Sequence, residues 1–224
     1  KQKMDELKPG DILEVTANDT GFATDLPAWC RSVGHDILSI EIREGKIVGR
    51  IRKGTPKDKP LQLDQTALPK EKTIVVFSND MDRVMSSFII ANGASAMGYK
   101  VNMFFTFWGL NVLRKPQKVS VKKSFMESMF TKMMPRGVSK LKLSKMNMGG
   151  MGTKLMKRVM RQKNVNTLDE LIEMARKAGV RLIACSMTMS IMGLKKEELI
   201  DGIEEGGVAA FLEDADRSNV TLFI

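Results

Sequence analysis

The sequence predicts an α/β protein in which a small, partial α/β sandwich module precedes a doubly wound, mostly parallel sheet domain with a Met-rich helical insertion. Three observations predict this fold class. Short apolar runs alternate with helix-patterned stretches from residue 73 onward, as they do in parallel sheets. Hydrophobic residues make up 43% of the 224 residues, which is enough to form packed cores. Residues 54–72 are rich in Pro and Lys with little periodicity, and they indicate a linker between the two parts.

The first module, residues 1–53, begins with the end of a helix and a strand at 11–17, where polar and apolar residues alternate. The following helix is indicated by apolar residues on one face, and Gly34 is placed to cap its carboxyl end. This face comprises Phe22, Leu26, Trp29, Cys30 and Val33. We therefore interpret Cys30 as a core residue, because free cysteine is among the most buried residue types.

Two further strands, 37–42 and 46–51, form a hairpin whose turn is Glu44-Gly45. His35, the only histidine, lies between the helix and this hairpin, and we interpret it as a capping or surface residue. The chain has two cysteines without C-x-x-C spacing, so the sequence predicts no metal centre and no thioredoxin-like site. No cofactor is expected.

The second domain, residues 73–224, opens with a continuous apolar strand at 73–77, as a parallel sheet requires. A helix at 81–97 and a strand at 100–106 follow. The remaining predicted elements are a helix that begins at the capping box of Thr167 and ends at Gly179, a strand that ends at Cys185, a helix at 195–205, and strands at 208–212 and 221–224.

The insertion at about 114–163 is strongly basic. It holds 15 Lys and Arg but one acid, Glu127, so its net charge is 15 − 1 = +14, whereas the whole chain carries +10. It also holds nine of the 18 methionines and a Gly-rich hinge at 148–154. Two amphipathic helices are predicted within it. One apolar face consists of Phe125, Met126, Met129, Phe130, Met133 and Met134, and the other of Met151, Leu155, Met156, Val159 and Met160.

The role of these basic helices stays open between several partners. They fold back onto their own domain or a sister subunit, or they bind a membrane surface or an acidic protein. Exposed methionine faces would favour a homo-oligomer. Nucleic acid is a weaker alternative, because the segment has no Tyr or Trp interleaved for base stacking.

Cys185 is the candidate catalytic residue. It ends the apolar run RLIAC, and the carboxyl ends of parallel strands are where open α/β sheets bind ligands. The segment that follows it, SMTMSIMG, predicts an anion-holding turn around a thiolate. Ser186 and Thr188 would donate hydrogen bonds, and Met189 would contribute to a polarizable wall. The alternative is a buried structural cysteine.

Residues after two other strands are expected at the same edge of the sheet. Phe107, Trp108 and Gly109 follow the second strand of the domain, and Asn79 follows the first. Because the carboxyl ends of parallel strands lie on one side, we expect these residues to line the pocket of the thiol. Aromatic packing within the core is the alternative for Phe107 and Trp108.

Residues 73–224 resemble the second, Met-rich branch of the DsrE-like sulfurtransferase family. The resemblance rests on TIVVFSNDMDRVMSSFIIANGASAMGYKVNMFFTFWGL, MNMGGMGT and IACSMTMSIMGL. It implies that Cys185 carries sulfane sulfur as a persulfide. The implied partners are persulfide donor and acceptor proteins or small thiols.

Residues 1–53 resemble the later part of a TusA-like sulfur carrier, on the stretch MDELKPGDILEVTANDTGFATDLPAWCRSVGHDILSIE. That family has its acceptor cysteine in a CPxP motif ahead of the helix, and the sequence begins after that point. Cys30 does not substitute for it. Such module pairs also occur behind rhodanese and coenzyme A disulfide reductase domains, so the resemblance implies fusion to, or interaction with, such domains.

Together these features predict a sulfur-trafficking sulfurtransferase in a reducing, cytoplasmic setting. Two distant cysteines do not form a disulfide framework, and no apolar run approaches the roughly 18 residues of a membrane span. The alternative function is a non-catalytic peripheral membrane or scaffold module that uses the basic helices. Nucleic-acid binding is the third hypothesis, and it would show steep salt dependence.

Overall fold

The computed structural model describes residues 2–18, 22–55 and 71–224. The chain divides into two compact units. The first contains the described residues up to 55, and the second contains nearly all of those from 71 onward. Most of the predicted linker, 56–70, lies outside the described residues, and its last two positions belong to the first strand of the second unit.

The first unit is a three-stranded antiparallel sheet in the order β1-β3-β2, with a helix packed on it. Its elements are α1 (Gln2–Asp5), β1 (Ile12–Ala17), α2 (Phe22–Val33), β2 (Asp36–Arg43) and β3 (Lys46–Arg52). The hairpin turn is confirmed, since Glu44 and Gly45 both have positive φ (52° and 73°), as two-residue turns of this kind require. Cys30 is 1% exposed and lies in the core, as predicted.

The second unit is built on a five-stranded sheet in the order β7-β6-β5-β4-β8, in which all neighbouring pairs are parallel. Its elements are β4 (Glu71–Val76), α3 (Met81–Ala96), β5 (Lys100–Phe105), α4 (Phe125–Met133), α5 (Met151–Gln162), α6 (Leu168–Lys177), β6 (Arg181–Cys185), α7 (Ser186–Met192), β7 (Glu204–Gly206), α8 (Val208–Asp216) and β8 (Ser218–Phe223). Single 3-10 turns cover Phe107–Leu113, Val138–Lys140, Met148–Gly150 and Lys196–Glu198. The predicted parallel α/β architecture with a helical insertion is therefore confirmed.

The two faces of this sheet are covered unequally. Successive side chains of β6 point to opposite faces, so Leu182 and Ala184 lie in the main core, whereas Ile183 and Cys185 lie in a smaller cluster on the other side. The main core also receives the buried side chains of α3, α6 and α7. The smaller cluster is covered by α8 through Phe211. The carboxyl end of β6 therefore presents Cys185 to the thinner layer.

Two predicted elements near the carboxyl terminus are wrong. The stretch predicted as a helix at 195–205 is a 3-10 turn followed by β7, because Gly202 adopts a left-handed conformation (φ 78°) that interrupts a helix. The stretch predicted as a strand at 208–212 begins α8. A short apolar run such as VAAFL fits either element by periodicity, and pairing of β7 with β6 decides the register.

The apolar faces of the insertion remain exposed in the single chain. Helix α5 packs through Thr153 and Met160, which are buried, and leaves Met151 and Leu155 about three-fifths exposed (62% and 61%). On α4, Phe125 is 83% exposed. Met160 of α5 and Met134 after α4 pack on the main core, whereas the rest of both faces is exposed in the single chain, so packing onto the same domain or a sister subunit stays open. Within the described ranges, no helix is long and apolar enough to cross a membrane.

Candidate functional site

Cys185 lies where the connections of two neighbouring strands diverge. Strand β6 leads into α7, whose Met189 and Met192 pack in the main core. Strand β7, in which Gly206 pairs with Cys185, leads into α8, whose Phe211 packs on the opposite face. A crevice between strands whose connections leave on opposite faces is the usual ligand site of an open α/β sheet. The sheet topology therefore supports the position that the sequence indicates for the thiol.

The thiol of Cys185 is buried beside apolar side chains. It is 5% exposed and belongs to a cluster with Val75, Phe104 and Ile183. The neighbouring strand carries glycine at this level, since a Cβ on Gly206 would lie 2.9 Å from Cγ2 of Ile183. The apolar surroundings alone would hold the thiol in its neutral form, because burial penalises a thiolate.

Hydrogen-bond donors around the sulfur outweigh this penalty. Burial raises the pKa of Cys185, but the hydroxyl and backbone N–H of Thr188, the hydroxyl of Thr106 and the backbone N–H of Met187 lower it, and the net pKa is below the ordinary value. Thr188 is fully buried, and its hydroxyl oxygen lies 2.9 Å from that of Thr106. Donors aimed at the sulfur favour its charged form, so the site is suited to a thiolate.

Thr106 was not among the predicted site residues. It follows the last residue of β5 and immediately precedes Phe107. The signal that could have identified it is positional, because β5 is the strand next to β6 and its first residue beyond the sheet reaches the thiol. Thr188, in contrast, was predicted, and the structure brings its side chain to Cys185.

The other predicted residues after Cys185 differ from the expectation. The segment predicted as a turn is the short helix α7, which ends at Gly193 in a left-handed conformation (φ 66°). Met189 lies in the main core, whereas Cys185, the last residue of β6, lies in the cluster on the other face of the sheet. The hydroxyl of Ser186 is exposed and donates to the carbonyl oxygen of Gly206 at 3.4 Å. The polarizable methionine wall is therefore replaced by aliphatic and aromatic neighbours.

Phe107, Trp108 and Gly109 form the start of the 3-10 turn that follows Thr106. Gly109 approaches the adjacent strand closely, since a Cβ there would lie 2.0 Å from the carbonyl oxygen of Val76. Phe107 has a positive φ of 46°, which is strained for an aromatic residue. Trp108 is 48% exposed. This segment directly follows Thr106, whose hydroxyl hydrogen-bonds to the sulfur of Cys185, so it borders the thiol site.

Asn79 lies in different surroundings. It lines a cavity of about 650 Å³ together with residues 133–136 and 140–143 of the insertion. It is not part of the cluster around Cys185, which consists of side chains from β4, β5, β6 and α8. The expectation that Asn79 lines the pocket of the thiol is therefore not supported by this arrangement.

The second cysteine has the opposite electrostatic character. Burial, followed by the negative charge of Asp36, raises the pKa of Cys30 to about 11, although Arg31 opposes this. His35 accepts a hydrogen bond at Nδ1 from the backbone N–H of Gly54, which follows β3. In the part of the chain that the structure describes, no three His, Cys, Asp or Glu side chains come together in a way that could hold a metal ion.

Comparison with known proteins assigns both parts of the chain. Residues 69–223 match the DsrE/DsrF/DrsH-like family, and residues 1–53 match the sulfurtransferase TusA family. The chain is 55% identical over 159 residues to the uncharacterized protein YrkE of Bacillus subtilis, and the aligned region covers 71% of this chain and 99% of that protein. It is 38% identical over 159 residues to the sulfur carrier protein DsrE2 of Allochromatium vinosum, which covers 69% of this chain and 98% of that protein.

The first unit has relatives of its own. Over 52 residues the chain is 35% identical to the sulfur carrier protein TusA of Pseudomonas savastanoi pv. phaseolicola, which covers 23% of this chain and 62% of that protein. Both units are thus similar to proteins that carry sulfur. The chain belongs to the DsrE/DsrF/DrsH-like family, with a TusA module ahead of the DsrE-like domain, and its family membership supports a role in sulfur trafficking.

Proposed function

We propose that this protein holds sulfane sulfur as a persulfide on Cys185 and passes it to or from a partner thiol. One observation carries the proposal. The thiol is buried at the topological switch point of the sheet, yet donors from Thr188, Thr106 and Met187 lower its pKa below the ordinary value. A structural cysteine in an apolar cluster would have a raised pKa instead, as Cys30 has.

The transfer is a nucleophilic displacement at sulfur. The Cys185 thiolate attacks the terminal sulfur of a donor persulfide, RS–SH, and a new S–S bond forms as the S–S bond of the donor breaks. The products are Cys185–S–SH and the donor thiolate, RS⁻, so the proton of the donor stays on the transferred sulfur. No external oxidant is consumed. A partner thiolate removes the sulfur by the same step in the other direction.

The surroundings of Cys185 fit both ends of this exchange. The donors that favour the thiolate also favour an anionic persulfide, because each carries negative charge on sulfur. The apolar neighbours Val75, Phe104 and Ile183 exclude water that would compete for these donors. Because Cys185 is 5% exposed and ends β6, we expect the partner thiol to approach it from the carboxyl edge of the sheet. Donor or acceptor proteins, including rhodanese and coenzyme A disulfide reductase domains, and small thiols are the proposed partners.

Mass spectrometry of the intact protein after treatment with inorganic polysulfide tests the proposal. We expect an addition of about 32 Da, one sulfur atom, that is released by dithiothreitol. Peptide mapping should assign the addition to Cys185. The Cys30→Ser variant is the matched control and should keep the adduct, whereas Cys185→Ser should lose it. An adduct that survives in Cys185→Ser would contradict the proposal.

A second candidate function is a peripheral membrane or scaffold role for the insertion. It is favoured by α5, which leaves Met151 and Leu155 exposed beside a basic face, an arrangement typical of helices that bind membrane surfaces or other proteins. Flotation with anionic liposomes tests the membrane role. Binding should be lost when Lys157, Arg158 and Arg161 are changed to Glu, and it should survive Cys185→Ser.

The control for this experiment replaces two exposed basic residues outside α5, Lys122→Glu and Lys145→Glu, and lowers the net charge in the same direction. Equal loss of binding in both sets would indicate general charge attraction rather than a role for α5. Sedimentation of the unmodified chain tests the scaffold role, because a homo-oligomer would bury the same exposed faces.

A further inference from the structure

We infer that the second unit binds an organic anion with an apolar portion in a cavity between α4 and the extended segment at 118–123. The cavity has a volume of about 630 Å³, which is in the range of small-molecule sites. It is lined by residues 118–121 and Lys123, by one side of α4 up to Met134, and by Arg136 and Glu198. This inference does not depend on sulfur transfer at Cys185.

The lining carries an excess of positive charge. Four basic side chains face one carboxylate, that of Glu198. The basic residues are Lys118, Lys123, Lys132 and Arg136. Glu198 is 1% exposed and already contacts two of these basic residues. It forms an ion pair with Lys123 and accepts a hydrogen bond of 3.1 Å from Arg136. Lys118 and Lys132 thus add uncompensated charge at the opening of the cavity.

A buried cation near the cavity, Arg114, increases this excess. Arg114 is 1% exposed and donates to the backbone carbonyl oxygens of Thr131 and Pro135, not to a carboxylate. Burial, followed by the positive charge of Arg136, lowers its pKa to about 10, although Glu198 opposes this. The buried Arg114, the nearly buried Lys123 and the partly exposed Arg136 therefore lie near a single buried carboxylate, that of Glu198. Buried charge without a counter-ion is costly, and a bound anion would compensate it.

Lys123 lines the cavity and keeps unused hydrogen-bond donors, although its ammonium nitrogen is almost fully buried. Its side chain is 7% exposed, and apart from the ion pair with Glu198 its ammonium makes no hydrogen bond to any of the described residues. An ammonium carries three N–H groups, so donors remain for a ligand. The one acidic residue of the insertion, Glu127, is held by Lys195 at 2.8 Å and by the backbone N–H of Ser124. It is therefore engaged elsewhere.

The rest of the cavity wall is mainly apolar, with Ser120, Ser128 and Thr131 as its polar members. Five of its lining side chains are Val119, Val121, Phe125, Met129 and Met134. Phe125 is 83% and Met129 is 40% exposed, so a ligand seated there would cover apolar surface that is otherwise in water. Inorganic phosphate would use the cations alone, and a neutral lipid would use the apolar wall alone. The combination fits an anion attached to a chain or ring.

Calorimetric titration of the full chain with three probes tests this combination. Octanoate carries both features, octyltrimethylammonium carries a similar tail, one carbon longer, with the opposite charge, and acetate carries the charge without the tail. We expect octanoate to bind at least about tenfold more tightly than either of the other probes, because burial of its tail and attraction of its carboxylate to the basic residues both contribute to its affinity. In the Lys118→Glu/Lys132→Glu variant, the affinity for octanoate should fall by about tenfold or more.

Lys145→Glu is the matched control, since this exposed residue of the same basic segment does not line the cavity. It should leave octanoate affinity unchanged. The inference is overturned if octanoate does not bind, if octyltrimethylammonium binds equally well, or if the control weakens binding as much as the double variant. Sedimentation in the same buffers distinguishes a ligand from a second copy of the chain. If the chain self-associates and the associated form no longer binds octanoate, the cavity is a contact between copies of the chain, and the inference is overturned.

Discussion

The hydroxyl oxygens of Thr106 and Thr188 lie 2.9 Å apart at the carboxyl edge of the parallel sheet. Thr106 follows β5, and Thr188 lies in the first turn of α7, which follows β6. Both hydroxyls also lower the pKa of Cys185. The segments after two neighbouring strands therefore each place a hydroxyl beside the sulfur. Because each hydroxyl has one proton, the hydroxyl that accepts the bond between them is the one that donates to the sulfur. This pair is the part of the site that most directly controls the charge of the thiol.

Removing either hydroxyl should make Cys185 less reactive near neutral pH. Thr188→Val keeps the shape of the side chain but removes a donor, so the pKa of Cys185 should rise and alkylation by iodoacetamide at pH 7 should slow by roughly three- to tenfold. Thr106→Val should act in the same direction with a smaller effect. Rates measured across pH 5 to 10 give the change. Ser186→Ala, which loses a donor to Gly206, is the control and should leave the profile unchanged.

The two cysteines should differ in reactivity in the folded protein. Burial raises the pKa of Cys30 to about 11, whereas the pKa of Cys185 is lowered. At pH 8, iodoacetamide should therefore modify Cys185 first, since the thiolate is the reactive form. Peptide mapping after a time course checks this, and labelling in guanidinium chloride shows that both thiols react once unfolded. Equal rates in the folded state would contradict the electrostatic account.

Most of the fold could be predicted from local sequence patterns. The strand at Thr73 and the capping box at Thr167 follow from side-chain periodicity and hydrogen bonding within a few residues, and both are confirmed. The elements after residue 195 could not be predicted in this way. The sequence EEG favours neither a strand nor a helix, and β7 forms because its backbone pairs with the edge of β6.

The candidate site shows the same division between local and distant effects. The position of Cys185 at the end of a strand and the donor role of Thr188 could be predicted from adjacent residues. Thr106 lies 79 positions away in sequence from Cys185, and only the pairing of β5 with β6 brings it to the sulfur. The segment predicted as a turn is the helix α7, and its Met189 packs in the main core on the face of the sheet that α3 and α6 cover. The packing of a helix on one face of the sheet is set by distant elements, which adjacent residues do not reveal.

Gly109→Ala should destabilise the second unit. A Cβ at this position would lie 2.0 Å from the carbonyl oxygen of Val76, so the 3-10 turn must shift or strain the adjacent strand. We expect a loss of about 1 to 3 kcal/mol in the free energy of unfolding. Gly93→Ala is the matched control, since its Cβ meets nothing within 4 Å in helix α3 and should stabilise by up to about 1 kcal/mol. Urea denaturation measures both. A Gly109→Ala protein as stable as the parent would contradict the close approach.

Asp214 should be important for stability, whereas its neighbour Glu213 should not. The Asp214 side chain is 4% exposed and pairs with Arg181, which begins β6, and with Arg217. Glu213 pairs with Arg217 as well, but it is 72% exposed. Asp214→Ala removes the buried carboxylate that both guanidinium groups share, although Arg181 keeps Glu204 and Arg217 keeps Glu213 and Glu71, and it should cost about 2 kcal/mol. Glu213→Ala should cost less than about 0.5 kcal/mol. Similar midpoints in urea for the two variants would contradict this difference.

Glu127 should stabilise the packing of α4 in a pH-dependent manner. A hydrogen bond from Lys195, together with the backbone and hydroxyl of Ser124, lowers the pKa of Glu127 from 4.5 to about 2. A carboxyl whose pKa is lower in the folded state stabilises fully above its unfolded pKa, and this stabilisation is lost as pH falls through the folded pKa. Glu127→Gln should therefore lower the Tm most at pH 6 to 7, and the difference from the parent should shrink from about pH 4.5 toward pH 2. Lys195→Met is the matched variant. In the double variant the two losses should not add, because they remove the same interaction. A Tm difference that is constant between pH 7 and pH 3 would show that the charge of Glu127 does not contribute.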